Sequence, residues 1–207
     1  FGYDISDYRD INPDYGTMAD MDRLIAEAKS RGIRIFMDLV VNHTSDEHEW
    51  FQKSRRRIEP YTDYYIWRPA RPSGKLPNNW DSMFEGKAWQ WDEVRGEYYM
   101  HIFSVKQPDL NMDNPFVREE VKSILRFWLD LGVDGFREDV ITFISKTPGL
   151  PDDHLMPASK GLFYYNHGPR VHEYLSEFRR DVFSKYDCMT IAEAPMVWPK
   201  TALKYIA

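Results

Sequence analysis

Short apolar runs alternate with amphipathic helical patterns along most of this chain of 207 residues. Residues 33–41 are nearly continuous apolar sequence, which is typical of a strand covered on both faces. Residues 133–141 and 189–192 are predicted as two further strands, and a helical pattern precedes each of the three. This order predicts an α/β fold with a parallel sheet, either a barrel or a doubly wound sheet.

The predicted helices have identifiable ends and apolar faces. The first begins after Thr17, a predicted N-cap with an acid three residues on, and ends at Arg31-Gly32. The second spans residues 115–131 and the third residues 169–186. The residues predicted to face inward are Met21, Leu24, Ile25 and Ala28 in the first helix and Val117, Val121, Ile124, Leu125, Trp128 and Leu129 in the second.

The alternation is interrupted between residues 44 and 108, a stretch rich in tryptophan and tyrosine. A segment of this length is too long for a loop and predicts a small subdomain on the rim, with an antiparallel strand within residues 97–103. We expect most of its aromatic rings to form its own core. The predicted division is barrel residues 1–43, an inserted aromatic-rich domain at 44–108 and barrel residues 109–207.

The charge balance disfavours some classes of partner. With 33 acidic and 27 basic residues the formal net charge is −6, whereas nucleic acids and acidic membrane surfaces attract clustered positive charge. No stretch approaches the roughly 20 apolar residues of a membrane span. We therefore expect no nucleic-acid partner and no membrane partner. The single cysteine, Cys188, leaves no internal disulfide framework and no multi-cysteine metal site.

Two carboxylates stand near the carboxyl ends of predicted strands. Asp139 follows the run GFRE, and Glu193 follows the run TIA. In a parallel barrel the catalytic residues gather at this end of the strands, and retaining glycoside hydrolysis needs one nucleophilic carboxylate and one proton donor. A structural ion pair or a rim residue would also account for acids at these positions, so the pair alone leaves both explanations open.

Strand alternation gives these acids their predicted neighbours. Arg137 and Asp139 point to one face of the strand and Glu138 to the other. If Asp139 faces the barrel axis, the guanidinium lowers its pKa and keeps it ionised, as a nucleophile requires. Glu193, partly desolvated beside a second carboxylate, can remain protonated as a general acid. Glu138 faces the helix layer, where a buried carboxylate needs a cationic or donor partner.

Further polar residues lie along the first predicted strand. Asp38 and Asn42 share one of its faces, and His43 stands at its end. Asp38 is either a hydrogen-bonded support or part of a site, and His43 either binds a substrate hydroxyl or caps the rim. His43 and His48 lack the spacing of known zinc motifs, so no metal is assigned.

Four motifs occur in a specific order: DLVVNH at 38–43, QPDLN at 107–111, GFREDV at 135–140 and TIAEAP at 190–195. Together they resemble the successive signature regions of glycoside hydrolase family thirteen, the alpha-amylase family, over essentially the whole chain. The segments NHTSDEH at 42–48, YYIW at 64–67 and NNW at 78–80 narrow the resemblance to the alpha-glucosidase and oligo-1,6-glucosidase branch. This implies a partial TIM (β/α)8 barrel with an inserted B domain after the third strand.

The resemblance also implies roles for single residues. Asp139 matches the nucleophile and Glu193 the acid/base. Arg137 and His43 match sugar-binding residues, and Tyr3 resembles the aromatic platform under the terminal glucose. The remaining residues that match the lining of the same pocket are Asp38, Phe84, Phe103 and Gln107.

The implied activity is that of a retaining alpha-glucosidase that hydrolyses terminal alpha-linked glucose from maltose-type or isomaltose-type oligosaccharides or disaccharides. Val140 matches the residue that accompanies α-1,6 activity in this branch. A catalytically silent relative, such as a transporter or scaffold subunit, is one alternative, although the presence of Asp139 and Glu193 argues against it. A sucrose isomerase or transglucosylase using the same acids is another.

The ends of the sequence predict a piece of a longer protein, because the chain lacks an initiator Met and a secretory signal and closes inside a predicted helix. On the family pattern, a third catalytic carboxylate would follow residue 207, and the calcium loop of some relatives would precede residue 1. We expect no cofactor in this part of the protein and a cytoplasmic location. We also expect the isolated chain to be inactive and to aggregate through open sheet edges.

Overall fold

The computed structural model describes residues 2–206. Its helices are α1 (Met18–Ser30), α2 (Glu49–Ser54), α3 (Pro115–Leu131), α4 (Leu162–Tyr165), α5 (Val171–Asp181) and α6 (Pro199–Ala202). Its strands are β1 (Phe36–Leu39), β2 (Trp67–Arg68), β3 (Trp89–Asp92), β4 (Glu97–Met100), β5 (Gly135–Glu138) and β6 (Met189–Ala192). None of the helices in this part of the chain is long and apolar enough to cross a membrane.

The parallel sheet has the strand order β1-β5-β6. The register of β1 with β5 sets Asp38 beside Arg137, and the register of β5 with β6 sets Arg137 beside Ile191. Because the three strands run in one direction, their carboxyl ends meet at the same edge of the sheet. Asp139 follows β5 at that edge, and Glu193 follows β6.

Helix α3 packs against the sheet because its ends are well specified and one face is apolar. The Asn114 side chain caps the N-terminus, Pro115 occupies the first turn, and Gly132 ends the helix with a φ of +111°, a conformation that favours glycine. Its bounds agree with the predicted range 115–131. All the residues predicted to face inward from this helix are buried.

Other predictions of local structure need correction. Helix α1 begins at the predicted Thr17 capping box, but Leu24, predicted to face inward, is exposed because the buried stripe passes through Ile25 and Ala28. Strands β1 and β5 have four residues each and are shorter than the predicted runs. The third predicted helix divides into α5 and a 3-10 turn at Phe183–Lys185.

The antiparallel sheet has the order β2-β4-β3 and lies in the chain between β1 and β5. Its core is aromatic: the Phe51 ring lies 5.5 Å from that of Trp67 and 5.2 Å from that of Tyr99. Trp80 and Trp89 are buried in a second cluster. The aromatic residues of this segment thus form mainly its core, as expected from the sequence, and β4 lies within the range predicted for a strand.

The two ends of this segment meet beside the carboxyl edge of the parallel sheet. An isolated antiparallel bridge joins His43 to Asp109, and the N–H of Leu110 donates to the carbonyl of Asn42 at 2.9 Å. This closure brings residues of the antiparallel sheet to the edge that carries Asp139. The division into domains at residues 44 and 108 stays a prediction.

Candidate active site

Arg137 joins three carboxylates at the carboxyl edge of the parallel sheet. Its Nη1 lies 2.6 Å from Asp38 Oδ1 and 2.6 Å from Asp139 Oδ1, and its Nη2 lies 2.6 Å from Glu193 Oε2. The sheet register explains this arrangement, because Asp38 and Arg137 are cross-strand neighbours and Asp139 follows two residues later on the same face. The two carboxylates singled out from the sequence therefore share one guanidinium group.

Val140 contributes a backbone contact that the sequence analysis did not predict. Its φ of 36° and ψ of 42° lie in the left-handed region, which is strained for a β-branched residue. This turn directs the Val140 N–H to Glu193 Oε2 at 3.1 Å, the oxygen that also accepts from Arg137. A glycine at this position would have signalled the turn, whereas valine gives no such signal.

A cavity of about 310 Å³ opens at this edge of the sheet, which is within the range of small-ligand sites. The structure brings eight of the nine predicted site residues to its wall, together with Val140. Its lining residues are Tyr3, His43, Phe84, Phe103, Gln107, Arg137, Asp139, Val140 and Glu193. The ninth predicted residue, Asp38, is exposed and outside this lining, and it contacts the site through its hydrogen bond to Arg137.

One side of the cavity is aromatic. The rings of Phe84 and Phe103 meet edge to face at 5.6 Å, and Phe103 stacks on Phe143 at 5.9 Å. The Phe84 side chain is exposed, so its ring is open to a ligand. The Tyr3 ring lies 5.8 Å from the Arg137 guanidinium carbon, and apolar ring faces of this kind suit the C–H faces of a sugar.

Burial raises the pKa of Asp139 to about 6. The charge of Arg137 lowers this pKa and the charge of Glu193 raises it, but desolvation is the largest effect. The prediction that Arg137 leaves Asp139 with a lowered pKa is therefore wrong in its net direction. Partial burial lowers the pKa of Arg137. The hydrogen bond to Asp38 and the charges of Asp139 and Glu193 raise this pKa by more, so the net direction is upward and Arg137 stays a cation.

Glu138 faces the other side of the sheet, as strand alternation predicts, and in the described part of the chain the cationic or donor groups predicted nearby are present without a direct hydrogen bond to it. Among the described residues, none donates a hydrogen bond to its carboxylate, although Ser176, Arg179 and Lys204 line the same cavity of about 490 Å³. Burial raises the pKa of Glu138 to about 7. A carboxyl that is mostly protonated below pH 7 has less need of an ion pair, which is a physical reason for the missing direct bond.

Polar groups behind the cavity were also not predicted as part of the site. Lys146 Nζ pairs with Asp109 Oδ2 at 2.7 Å and donates to Asn42 Oδ1 at 2.8 Å, and all three side chains are buried. A lysine in a short polar stretch carries no sequence signal for such a pair. Within residues 2–206 no group of three or more His, Cys, Asp or Glu side chains is arranged to hold a metal ion.

Known proteins resemble the chain along its whole length. The family model described as "Alpha amylase, catalytic domain" matches residues 1–207. An oligo-1,6-glucosidase from Parageobacillus thermoglucosidasius is 59% identical over 208 residues, which cover 99% of this chain and 37% of the relative. The solved structure of a trehalose-6-phosphate hydrolase from Bacillus licheniformis has a TM-score of 0.94 and 48% identity, and the match covers 99% of this chain and 36% of the other.

A trehalulose synthase from Pseudomonas mesoacidophila MX-45 is 50% identical, with a TM-score of 0.86 and coverage of 94% of this chain and 35% of the other. The chain thus spans between 35% and 37% of the length of these three proteins. Their similarity confirms the fold class predicted from the sequence, an α/β partial TIM (β/α)8 barrel. With every residue matched by the family model, the chain belongs to the alpha-amylase catalytic-domain family.

Proposed function

We propose that the protein containing this chain is a retaining alpha-glucosidase that releases terminal alpha-linked glucose from maltose-type or isomaltose-type oligosaccharides and disaccharides. The observation that carries this proposal is the pair of carboxylates at adjacent strand ends, Asp139 and Glu193, each 2.6 Å from the same guanidinium. The names of the relatives support it, since several are oligo-1,6-glucosidases and one is an alpha-glucosidase.

The proposed reaction has two steps. Asp139 Oδ attacks the anomeric carbon while Glu193 gives its proton to the leaving glycosidic oxygen, so that the C–O bond breaks and a glucosyl ester forms on Asp139. Water then attacks the same carbon, Glu193 takes its proton, and the ester bond to Asp139 breaks. Two displacements at one carbon retain the alpha configuration.

The neighbours of the acids have distinct proposed tasks. Arg137 opposes the effect of burial on Asp139, so that a larger fraction of the nucleophile is ionised near neutral pH. The Val140 N–H and Arg137 both bond to Glu193 Oε2, which leaves Oε1 to carry the proton toward the leaving group. His43, Gln107 and the ring of Tyr3 would hold the terminal glucose against the aromatic wall.

Further parts of the proposal rest on the family resemblance. Val140 directly after the nucleophile supports activity on α-1,6 linkages in this branch. The substrate is an oligosaccharide or disaccharide, with no organic cofactor and no metal held by this part of the chain, and a net negative charge disfavours a nucleic acid as partner.

A second candidate is sucrose isomerisation, which the resemblance to a trehalulose synthase supports. Its first step would be the same glucosyl transfer to Asp139. The difference lies in the acceptor, because an isomerase returns the glucosyl group to fructose where a glucosidase transfers it to water.

The deciding experiment incubates the full-length protein separately with maltose, isomaltose, sucrose and trehalose 6-phosphate, and identifies both products and anomers by NMR. We expect α-glucose as the first product from isomaltose or maltose, with Asp139→Asn as the inactive control. Formation of trehalulose or isomaltulose from sucrose as the main product would favour the isomerase. Release of the non-reducing-end glucose first as the β anomer, or full activity of the control, would exclude the proposed mechanism.

A further inference from the structure

His43 is buried and has both ring nitrogens in polar contact. Its Nδ1 lies 3.3 Å from Asn42 Nδ2, and its Nε2 lies 2.9 Å from the carbonyl oxygen of Tyr3. Since His43 lines the cavity beside Tyr3, the position of its proton decides how the ring holds the backbone of Tyr3. The neighbouring groups determine that position.

The side-chain amide of Asn42 has only one favourable orientation. Lys146 Nζ, which can only donate, lies 2.8 Å from Asn42 Oδ1. Asp109 Oδ2, a carboxylate oxygen that accepts, lies 3.1 Å from Asn42 Nδ2. A flipped amide would set its NH2 against the ammonium group and its oxygen against the carboxylate. Asn42 therefore presents an N–H to His43.

An N–H from Asn42 requires a lone pair on His43 Nδ1, which leaves the proton of a neutral imidazole on Nε2. That proton is donated to the Tyr3 carbonyl. The opposite tautomer would set two donors face to face at Nδ1 and two acceptors at Nε2. It would gain only the contact with Gln107 Nε2 at 3.1 Å, and that amide already donates to Tyr3 O at 3.0 Å.

We propose that Lys146 and Asn42 are positioning residues that hold His43 as the neutral tautomer protonated on Nε2, so that its one N–H holds the Tyr3 carbonyl and with it the place of Tyr3 in the cavity wall. The consequence for binding rests on the proposed function, whereas the proton position does not. Lys146 acts by fixing the Asn42 amide, and Asn42 acts by donating its N–H to His43 Nδ1.

The electrostatic surroundings agree with a neutral ring. Burial lowers the pKa of His43 most, and Lys146 lowers it further, whereas Asp109, the Tyr3 carbonyl and Asp4 raise it; the net direction is downward. The Lys146–Asp109 pair that anchors the network is itself fully enclosed, with Lys146 side-chain exposure of 5% and Asp109 of 0%. Truncating Lys146 would leave a buried, unpaired carboxylate, so Asn42→Asp is the sharper variant.

The test uses the full-length protein and records the ¹⁵N resonances of its histidine rings between about pH 5 and pH 8, with His43→Gln to assign the signal. We expect Nε2 protonated and Nδ1 unprotonated over this range. In Asn42→Asp the new carboxylate should draw the proton to Nδ1, raise KM by about tenfold or more and change kcat less. A protonated Nδ1 in the unaltered protein, or an unchanged tautomer in Asn42→Asp, would overturn the proposal.

Lys122 provides a matched control, because it is a buried lysine that pairs with Glu119, Glu177 and Asp181 away from the cavity. Lys122→Met should lower stability while leaving KM and the His43 tautomer unchanged. If Lys122→Met shifts the tautomer as much as Asn42→Asp does, the effect is a general loss of structure and the proposal fails. If the full-length protein hydrolyses none of the four sugars, the proposed function fails, but the ¹⁵N resonances still decide the proton position.

Discussion

The two faces of β5 at its carboxyl end carry one buried carboxylate each, and within residues 2–206 only one of the two forms an ion pair. Glu138 is 5% exposed and Asp139 is 7% exposed. Arg137 lies 2.6 Å from Asp139 on the inner face, whereas no described residue donates to Glu138 on the outer face. Burial raises both pKa values, to about 7 for Glu138 and about 6 for Asp139.

Comparison of the two acids shows that burial raises the pKa of both carboxyls, whereas the Arg137 charge opposes this rise at Asp139. On the outer face the protonated form relieves the cost of burial, and no ion pair is needed. On the inner face a guanidinium retains part of the negative charge, which costs desolvation of both groups. A buried carboxylate that is paired with a guanidinium is expected where its ionised form takes part in function. Asp139 and not Glu138 is therefore the candidate nucleophile.

The strongest test of this comparison replaces each acid by its amide. Asp139→Asn should lower kcat by about 10⁴-fold or more, because an amide cannot form the glucosyl ester. Glu138→Gln, one residue away and equally buried, should keep kcat within about threefold, as expected for a residue outside the reaction. Both are measured as initial rates on an aryl α-glucoside with the full-length protein. Equal losses in the two variants would mean that both act only through stability.

Glu193→Gln tests whether the third partner of Arg137 is the proton donor. Removing a general acid should lower kcat/KM, which reports the first step alone, by about 10²- to 10⁴-fold on isomaltose, whose leaving group needs a proton. The loss should be much smaller on an aryl glucoside whose leaving group is a stable phenolate. An equal loss on both substrates would instead assign Glu193 to binding or to the geometry of Arg137.

The outer face is tested through stability. For Glu138 the folded pKa, about 7, lies above the ordinary value of 4.5, so its contribution to stability is present below about pH 4.5 and is lost as the pH rises through 7. Glu138→Gln should therefore gain stability relative to the unaltered protein as the pH rises, by up to about 3 kcal/mol above pH 8. Denaturant unfolding at several pH values measures this difference.

Glu93→Gln, at an exposed position, is the control for that experiment and should change the free energy of unfolding by less than about 0.5 kcal/mol at each pH. A Glu138→Gln difference that stays constant with pH would show that Glu138 is ionised in the folded protein. That result would point to a cationic partner for this carboxylate in the full-length protein.

Much of the site could be predicted from local sequence pattern. Strand alternation places Arg137 and Asp139 on one face, and the family resemblance assigns the residues that line the cavity. Features that depend on contacts between distant parts of the chain could not be predicted. The net pKa of Asp139 is set by desolvation against one guanidinium, and the left-handed Val140 backbone contradicts the preference of valine. The contact of Lys146 with Asn42 joins residues 104 positions apart, beyond the reach of any local pattern.

The smallest expected effect is on pH dependence, and it tests the origin of the difference between the two faces. Because Asp139 must be ionised to attack, kcat/KM should fall below pH 6 and approach a tenfold loss per pH unit. Arg137→Gln removes the guanidinium that pairs with Asp139, while the charge of Glu193, which raises the pKa of Asp139, stays. The acid limb of kcat/KM should then move upward, by about one pH unit or more, even though the absolute rate also falls. Lys122→Met, which removes a cation elsewhere, should leave the limb in place. An unmoved limb in Arg137→Gln would mean that the guanidinium binds sugar without influencing the ionisation of the nucleophile.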